Sequence, residues 1–131
     1  MLAHYHGQTW NGAEIGGSLG LNAHTVRSYL DLLTDTFMVR QLQPWFENVK
    51  KRQVKAPRIY FRDSGLFHQL LGIKTYDELQ LHPKLGASWE GFALEQMLQL
   101  LRPSDAWFYA TQSGTELDLF LQHHGRRHGP Q

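Results

Sequence analysis

Between residues 11 and 33 the apolar positions recur at helical spacing in two short bursts. Ile15 and Leu19 lie four apart and share a face. Val26, Tyr29, Leu30 and Leu33 form a second stripe, with His24, Thr25, Arg27, Ser28 and Asp31 off it. Asn11 and Asn22 suit the two N-caps, and Glu14 stands three residues after Asn11 as a capping pair requires. Gly20 suits the left-handed residue that ends the first helix. Two short helices and a tight turn are helix-turn-helix geometry in outline. Residues 37–42 then read as a strand ended by Pro44, and residues 58–62 as a second strand. A short helix capped by Asp63 or Ser64 runs to about Leu71, where Gly72 closes it. A connector with one more helical turn covers residues 75–81.

Residues 84–102 give the longest helical pattern, stopped before Pro103. At about 100° per residue, Leu85, Trp89, Phe92, Ala93, Met97, Leu100 and Leu101 cover one broad side. The spacing predicts that this side is the core face, with Glu90 partly buried at its edge and Glu95 solvated opposite. Residues 107–111 read as a strand, followed by a turn at Ser113-Gly114 and the strand Glu116-Leu117-Asp118-Leu119-Phe120-Leu121. Side chains alternate along a strand, so Glu116 and Asp118 are expected on one face and Leu117, Leu119 and Leu121 on the other. A turn is expected at His123-His124-Gly125.

Composition narrows the function classes. The 131 residues carry a formal net charge of +1, so no global field favours nucleic acid, and any such contact depends on a local patch. The chain has no Cys, which excludes disulfides, thiolate zinc sites and a Cys nucleophile and fits a cytoplasmic setting. No apolar run approaches the roughly 20 residues of a membrane span. A secretory leader pattern is absent from the first residues.

Three groups carry candidate chemistry. The first is Glu90, Glu116 and Asp118. A helix followed by a hairpin whose second strand is acidic is the front half of a PD-(D/E)xK nuclease core. There Glu90 and Asp118 are the expected ligands of a divalent ion such as Mg2+, which polarises phosphate and activates water. The second group is the helix-turn-helix followed by a hairpin with a basic loop, the outline of a winged helix. Its candidate nucleic-acid contacts are His24, Thr25, Arg27 and Ser28 on the second helix, and Lys50, Lys51, Arg52 and Lys55 on the wing. The third group is histidine. His4 with His6, and His123, His124 and His128, are expected at the surface, with His68 and His82 structural. Trp45, Trp89 and Trp107 are expected in the core.

Five segments in this order resemble a known family: Gly12-Ala13-Glu14-Ile15-Gly16-Gly17-Ser18-Leu19-Gly20, Thr25-Val26-Arg27-Ser28-Tyr29-Leu30-Asp31-Leu32-Leu33, Arg58-Ile59-Tyr60-Phe61-Arg62-Asp63-Ser64-Gly65-Leu66, Leu85-Gly86-Ala87-Ser88-Trp89-Glu90-Gly91-Phe92, and Gly114-Thr115-Glu116-Leu117-Asp118. The sequence is similar to the C-terminal domain that follows the ATP-binding module in prokaryotic AAA-type ATPases. The resemblance implies an α+β chain. A winged helix-turn-helix over residues 1–62 and a connector over 63–83 lead to a truncated PD-(D/E)xK-like, restriction-endonuclease-like lobe over 84–131.

The chain departs from that pattern at both ends. No Walker A motif precedes the domain, so ATP enters only through an absent N-terminal ATPase domain. The Glu-x-Lys strand that completes a nuclease site is missing, and the chain is expected to be a fragment. The expected function is therefore a non-catalytic, ATPase-tethered region that contacts DNA through the winged helix. The alternatives are a protein-docking or oligomerisation module and, third, a metal-dependent nuclease. Without a further strand, Leu117, Leu119 and Leu121 are expected on an exposed sheet edge open to self-association.

Overall fold

The computed structural model describes residues 1–45, 56–111, 114–123 and 126–128. A 3-10 helix (Leu2–Tyr5) leads into β1 (Gln8–Thr9), α1 (Gly12–Leu19) and α2 (Ala23–Asp35). The hairpin strands β2 (Val39–Pro44) and β3 (Arg58–Phe61) follow, then α3 (Ser64–Leu70), α4 (Tyr76–Leu81) and α5 (Leu85–Leu101). β4 (Asp105–Ala110), β5 (Glu116–His123) and β6 (Arg126–His128) complete an α+β architecture. The side-chain caps explain where the helices begin. Asn11 accepts from the Glu14 N–H, Asn22 from Thr25, Asp63 from Leu66 and Thr75 from Glu78. Gly20 ends α1 in the left-handed conformation, as the sequence predicts. Among the described residues no helix is long and apolar enough to cross a membrane.

All six strands form one sheet in the order β1-β3-β2-β4-β5-β6. The antiparallel β2–β3 hairpin pairs Val39 with Phe61 and Leu42 with Arg58. β2 then runs parallel to β4, Gln43 beside Trp107 and Pro44 beside Phe108. The sheet is thus continuous across residues that the sequence divides into an N-terminal unit and a C-terminal lobe. β3, flanked by β1 and β2, is buried on both faces, and every one of its residues is buried. Ile59 and Phe61, with Val39, pack against Leu30, Ala3 and Phe67. Tyr60 and Leu42 instead join Leu94, Leu98, Phe108, Ala110, Leu119 and Leu121 under α5.

Three sequence expectations are corrected. The face of α5 that meets the sheet carries Ser88, Gly91, Leu94, Glu95 and Leu98, the side opposite the one predicted. Trp89 is 67% exposed and Leu100 83%, with Phe92, Met97 and Leu101 also exposed. The periodicity is real, but it marks the outer face. The inner face is set by small residues that allow close approach and by an ion pair: Glu95, 6% exposed, receives Arg40 and Arg62 from the hairpin side, Arg62 Nε lying 3.5 Å from Oε2.

The second correction concerns β5, which is not an edge along its whole length. β6 pairs with Leu121, Gln122 and His123. Only the stretch 116–120 has no second neighbour among the described residues. The third is His6, which is 2% exposed rather than at the surface. Its ring stacks on Phe67 at 3.9 Å. Nδ1 accepts from the Phe61 N–H at 2.9 Å, and Nε2 lies 3.0 Å from the Ala87 carbonyl, to which the neutral ring donates. Burial, above all, lowers its pKa from 6.5 to about 4.

Candidate functional site

The predicted carboxylates converge, and they converge on a guanidinium. Arg58 opens β3 and pairs across to Leu42, which aims its side chain at the α5 side of the sheet. Its Nη1 lies 2.9 Å from Asp118 Oδ1 and 4.0 Å from Glu90 Oε1, and its Nη2 lies 3.4 Å from Glu116 Oε1. The face of the guanidinium rests over the Phe108 ring, 4.5 Å from its centroid. Tyr60, next on the same face of β3, donates its hydroxyl to Glu90 Oε1. Arg58 is 8% exposed, whereas Glu116 and Asp118 keep 59% and 58% of their side-chain surface in water.

Strict alternation along β5 predicts the two acids on the face away from the leucines. The register explains why Glu116 reaches the α5 side. Trp107 pairs with Phe120 but Tyr109 with Leu117, so β5 carries one extra residue in that interval. A bulge of this kind shifts the alternation by one and re-aims side chains. Beyond it Glu116 lies opposite Ala110, a residue of the α5-facing core.

The electrostatics follow from this packing. Burial raises the Glu90 carboxyl above its usual range, with Asp118 and Glu116 pushing the same way; the Tyr60 hydroxyl and Arg58 oppose the shift without cancelling it. Burial, then Glu90, drives the Tyr60 phenol well above 10. Burial works to lower Arg58, but Asp118, Tyr60 and Glu116 outweigh it and hold the guanidinium charged.

Oxygen donors of this kind suit Mg2+, but the oxygens a metal would need already face Arg58. A divalent ion beside a fixed guanidinium is repelled, so these residues do not fit Mg2+ with Arg58 in place. Among the described residues, no group of three or more His, Cys, Asp or Glu is placed to hold a metal.

The nucleic-acid candidates divide. His24 and Ser28 are exposed on α2 and Thr25 is half-buried. Arg27 is committed to its own surface, with Nε 3.3 Å from Asp31 Oδ1 and Nη2 3.0 Å from Gln41 Oε1. Lys50, Lys51, Arg52 and Lys55 lie outside the described residues. Tyr29, predicted in the apolar stripe, is 58% exposed beside Leu32, also 58%. Trp45 and Trp107 are half-buried and meet edge-to-face at 4.9 Å, with Phe120 5.2 Å from Trp45.

Sequence reasoning missed Arg58 and Tyr60 as members of the carboxylate cluster. The available signal was an Arg two positions before a Tyr in an otherwise apolar strand, which puts both on one face.

Residues 1–77 match the family described as Domain of unknown function (DUF8612), and the chain belongs to that family. It is also 54% identical over 129 residues to Uncharacterized protein Mb2031c of Mycobacterium bovis and, equally, to Uncharacterized protein Rv2008c of Mycobacterium tuberculosis. The match covers 98% of this chain but 29% of each relative, so the chain spans under a third of their length. No solved structure matches.

Proposed function

We propose that the chain is a non-catalytic nucleic-acid-contacting region, a winged helix joined to a PD-(D/E)xK-like half-domain, and that it works as part of a longer AAA-type ATPase. The observation that carries this reading is the element order up to Phe61: short helix, β1, α1, turn, α2, β2, β3, with β3 between β1 and β2. The turn is tight, the Leu21 N–H donating to the Gly16 carbonyl at 2.8 Å. A Cβ on Gly16 would lie 2.6 Å from the Leu21 oxygen. That order supports a winged-helix reading, in which the β2–β3 connection is where a wing belongs. Four of the chain's 13 Lys and Arg residues fall at positions 50–55 of that connection. Cations on a wing neutralise phosphates, while the first turn of the second helix meets base edges. With Arg27 held by Asp31 and Gln41, backbone contact through the wing dominates. The ATPase part rests on the resemblance and on the much greater length of the mycobacterial relatives.

The reading is tested by fluorescence anisotropy with a labelled duplex over a salt series. Affinity is expected to fall linearly on a log–log plot. Replacing Lys50, Lys51 and Arg52 together with Ala is expected to reduce the slope by about 2–3. A wild-type protein without salt-dependent affinity sinks the proposal.

A second reading, protein docking, is favoured by the exposure of Tyr29, Leu32 and Phe37 (73% exposed) on and after α2. It requires a partner whose binding survives neutralising the wing. Nuclease activity, the third reading, is opposed by the guanidinium among the carboxylates.

A further inference from the structure

We infer that the cleft between the C-terminal end of α5, the start of β4 and Arg40 on β2 is a binding site for a phosphoryl group, held by Arg40 and Arg102. The cleft has a volume of about 270 Å3, and Leu98, Pro103, Ser104 and Ala106 help to wall it. That is below the roughly 300–1,000 Å3 of pockets that take drug-sized molecules, so the occupant is small. None of these residues belongs to the carboxylate cluster around Arg58.

Arg102 singles the cleft out. It ends α5 in the left-handed conformation, at φ 43° and ψ 57°, where glycine is the usual residue and a Cβ is strained. The cap itself is a backbone bond, the Arg102 N–H donating to the Leu98 carbonyl at 3.0 Å, which glycine would make as well. The Arg102 side chain is exposed and has no hydrogen bond or ion pair among the described residues. A helix C-terminus favours a cation, but any position in the last turn supplies one without a left-handed residue. Arg40 brings the second guanidinium. Its Nε and Nη2 donate to Glu95, which leaves Nη1 without a hydrogen-bond partner among the described residues. Glu95 Oε2 also receives Arg62 at 3.5 Å, so one carboxylate answers two guanidiniums. Asp105 lines the cleft too, but it is exposed, and salt screens an exposed charge. Three arginines thus stand against two acids. The Ser104 hydroxyl is engaged by the Gln122 carbonyl at 2.9 Å, so recognition falls to the guanidinium forks, which match phosphate oxygens in pairs. The excess of positive charge suits a phosphoryl group, which carries about −1.5 to −2 near neutral pH.

The probe is inorganic phosphate, titrated against wild type and Arg102→Gly at constant ionic strength. Glycine keeps the left-handed turn and removes the guanidinium. Without phosphate the variant is expected to melt at or above the wild-type Tm, since the strain is gone. Phosphate stabilises proteins non-specifically as well, so the comparison is the gain in Tm of one chain against the other. Wild type is expected to gain several degrees more than Arg102→Gly, and phosphate affinity to fall about tenfold or more in the variant. Equal gains in the two chains overturn the site. A second arm uses only the wild-type chain. The side-chain N–H signals of Arg40 and Arg102 are expected to shift with phosphate, and signals that stay still overturn the assignment. A 5′-phosphorylated oligonucleotide, set against the same strand without its phosphate, separates the sources. Tighter binding of the phosphorylated strand that needs Arg102 places the phosphoryl group on a nucleic-acid end, and a response to phosphate ion alone assigns the free anion.

Discussion

Replacing Gly91 with Ala adds one methyl group whose carbon would sit 2.4 Å from Nε2 and 2.8 Å from Cε1 of His6. At an open position inside a helix the same change stabilises by about 1 kcal/mol. Here the imidazole cannot yield cheaply. It is stacked on Phe67 at 3.9 Å and held by the Phe61 N–H and the Ala87 carbonyl. Moving it leaves the buried Phe61 N–H without its acceptor and the ring's own Nε2–H without the Ala87 carbonyl, at about 1–3 kcal/mol each. Set against the propensity gain, Gly91→Ala is expected to destabilise by about 2–4 kcal/mol. Urea unfolding measures this directly, and a double-mutant cycle isolates the cause. In a His6→Ala background the methyl group has room, so Gly91→Ala is expected to be neutral or to stabilise by up to about 1 kcal/mol. The coupling energy should approach 3 kcal/mol, the upper end for residues in contact. If Gly91→Ala raises the stability of the wild-type chain, His6 does not pack on α5 and the anchoring of the N-terminal segment described above is wrong.

The His6 ring also sets a pH dependence. Its folded pKa of about 4 lies below its ordinary 6.5, so between these values the unfolded chain binds a proton that the folded chain refuses. Stability is then fully present above 6.5 and falls by about 3 kcal/mol as pH drops to about 4. Glu90, raised by burial, acts in the opposite sense, so the measure is the difference between wild type and His6→Ala in chemical unfolding at several pH values; equal slopes would refute it. At the other buried charge, Glu95→Ala leaves Arg40 and Arg62 without their anion. Each arginine keeps about a quarter of its surface exposed, so the expected loss is about 2–3 kcal/mol, below the 3–5 typical of a fully buried pair. A change under about 0.5 kcal/mol, the range of surface substitutions, would show that water screens the pair.

The parts of this fold legible in the sequence are those governed by local chemistry. The side-chain caps at Asn11, Asn22 and Asp63, the left-handed Gly20 and the hairpin strands all follow from residues a few positions apart. Glu90, Glu116 and Asp118 were also readable as one group. What the sequence hid depends on long-range pairing. β1 has two residues and is a strand only because β3 offers it a partner. The parallel β2–β4 contact joins residues over 60 positions apart, and it alone makes one sheet of the two predicted units. The bulge in β5 has no local signature, yet it decides which way Glu116 points. Periodicity in α5 failed because an apolar stripe need not be the buried one. Ser88, Gly91 and Glu95 are poor core residues by composition, and they become core through partners supplied by distant segments: His68 for Ser88, His6 and Tyr60 for Gly91, and Arg40 and Arg62 for Glu95.

Amide chemical-shift mapping during titration with a short DNA duplex tests the proposed nucleic-acid contact most directly. The expected shifts cluster in residues 46–55 and in the first two turns of α2 at His24, Thr25 and Ser28, and they collapse as salt is raised. Shifts confined to the outer face of α5 around Trp89 and Phe92, or no shifts at low salt, would contradict a winged helix that contacts nucleic acid.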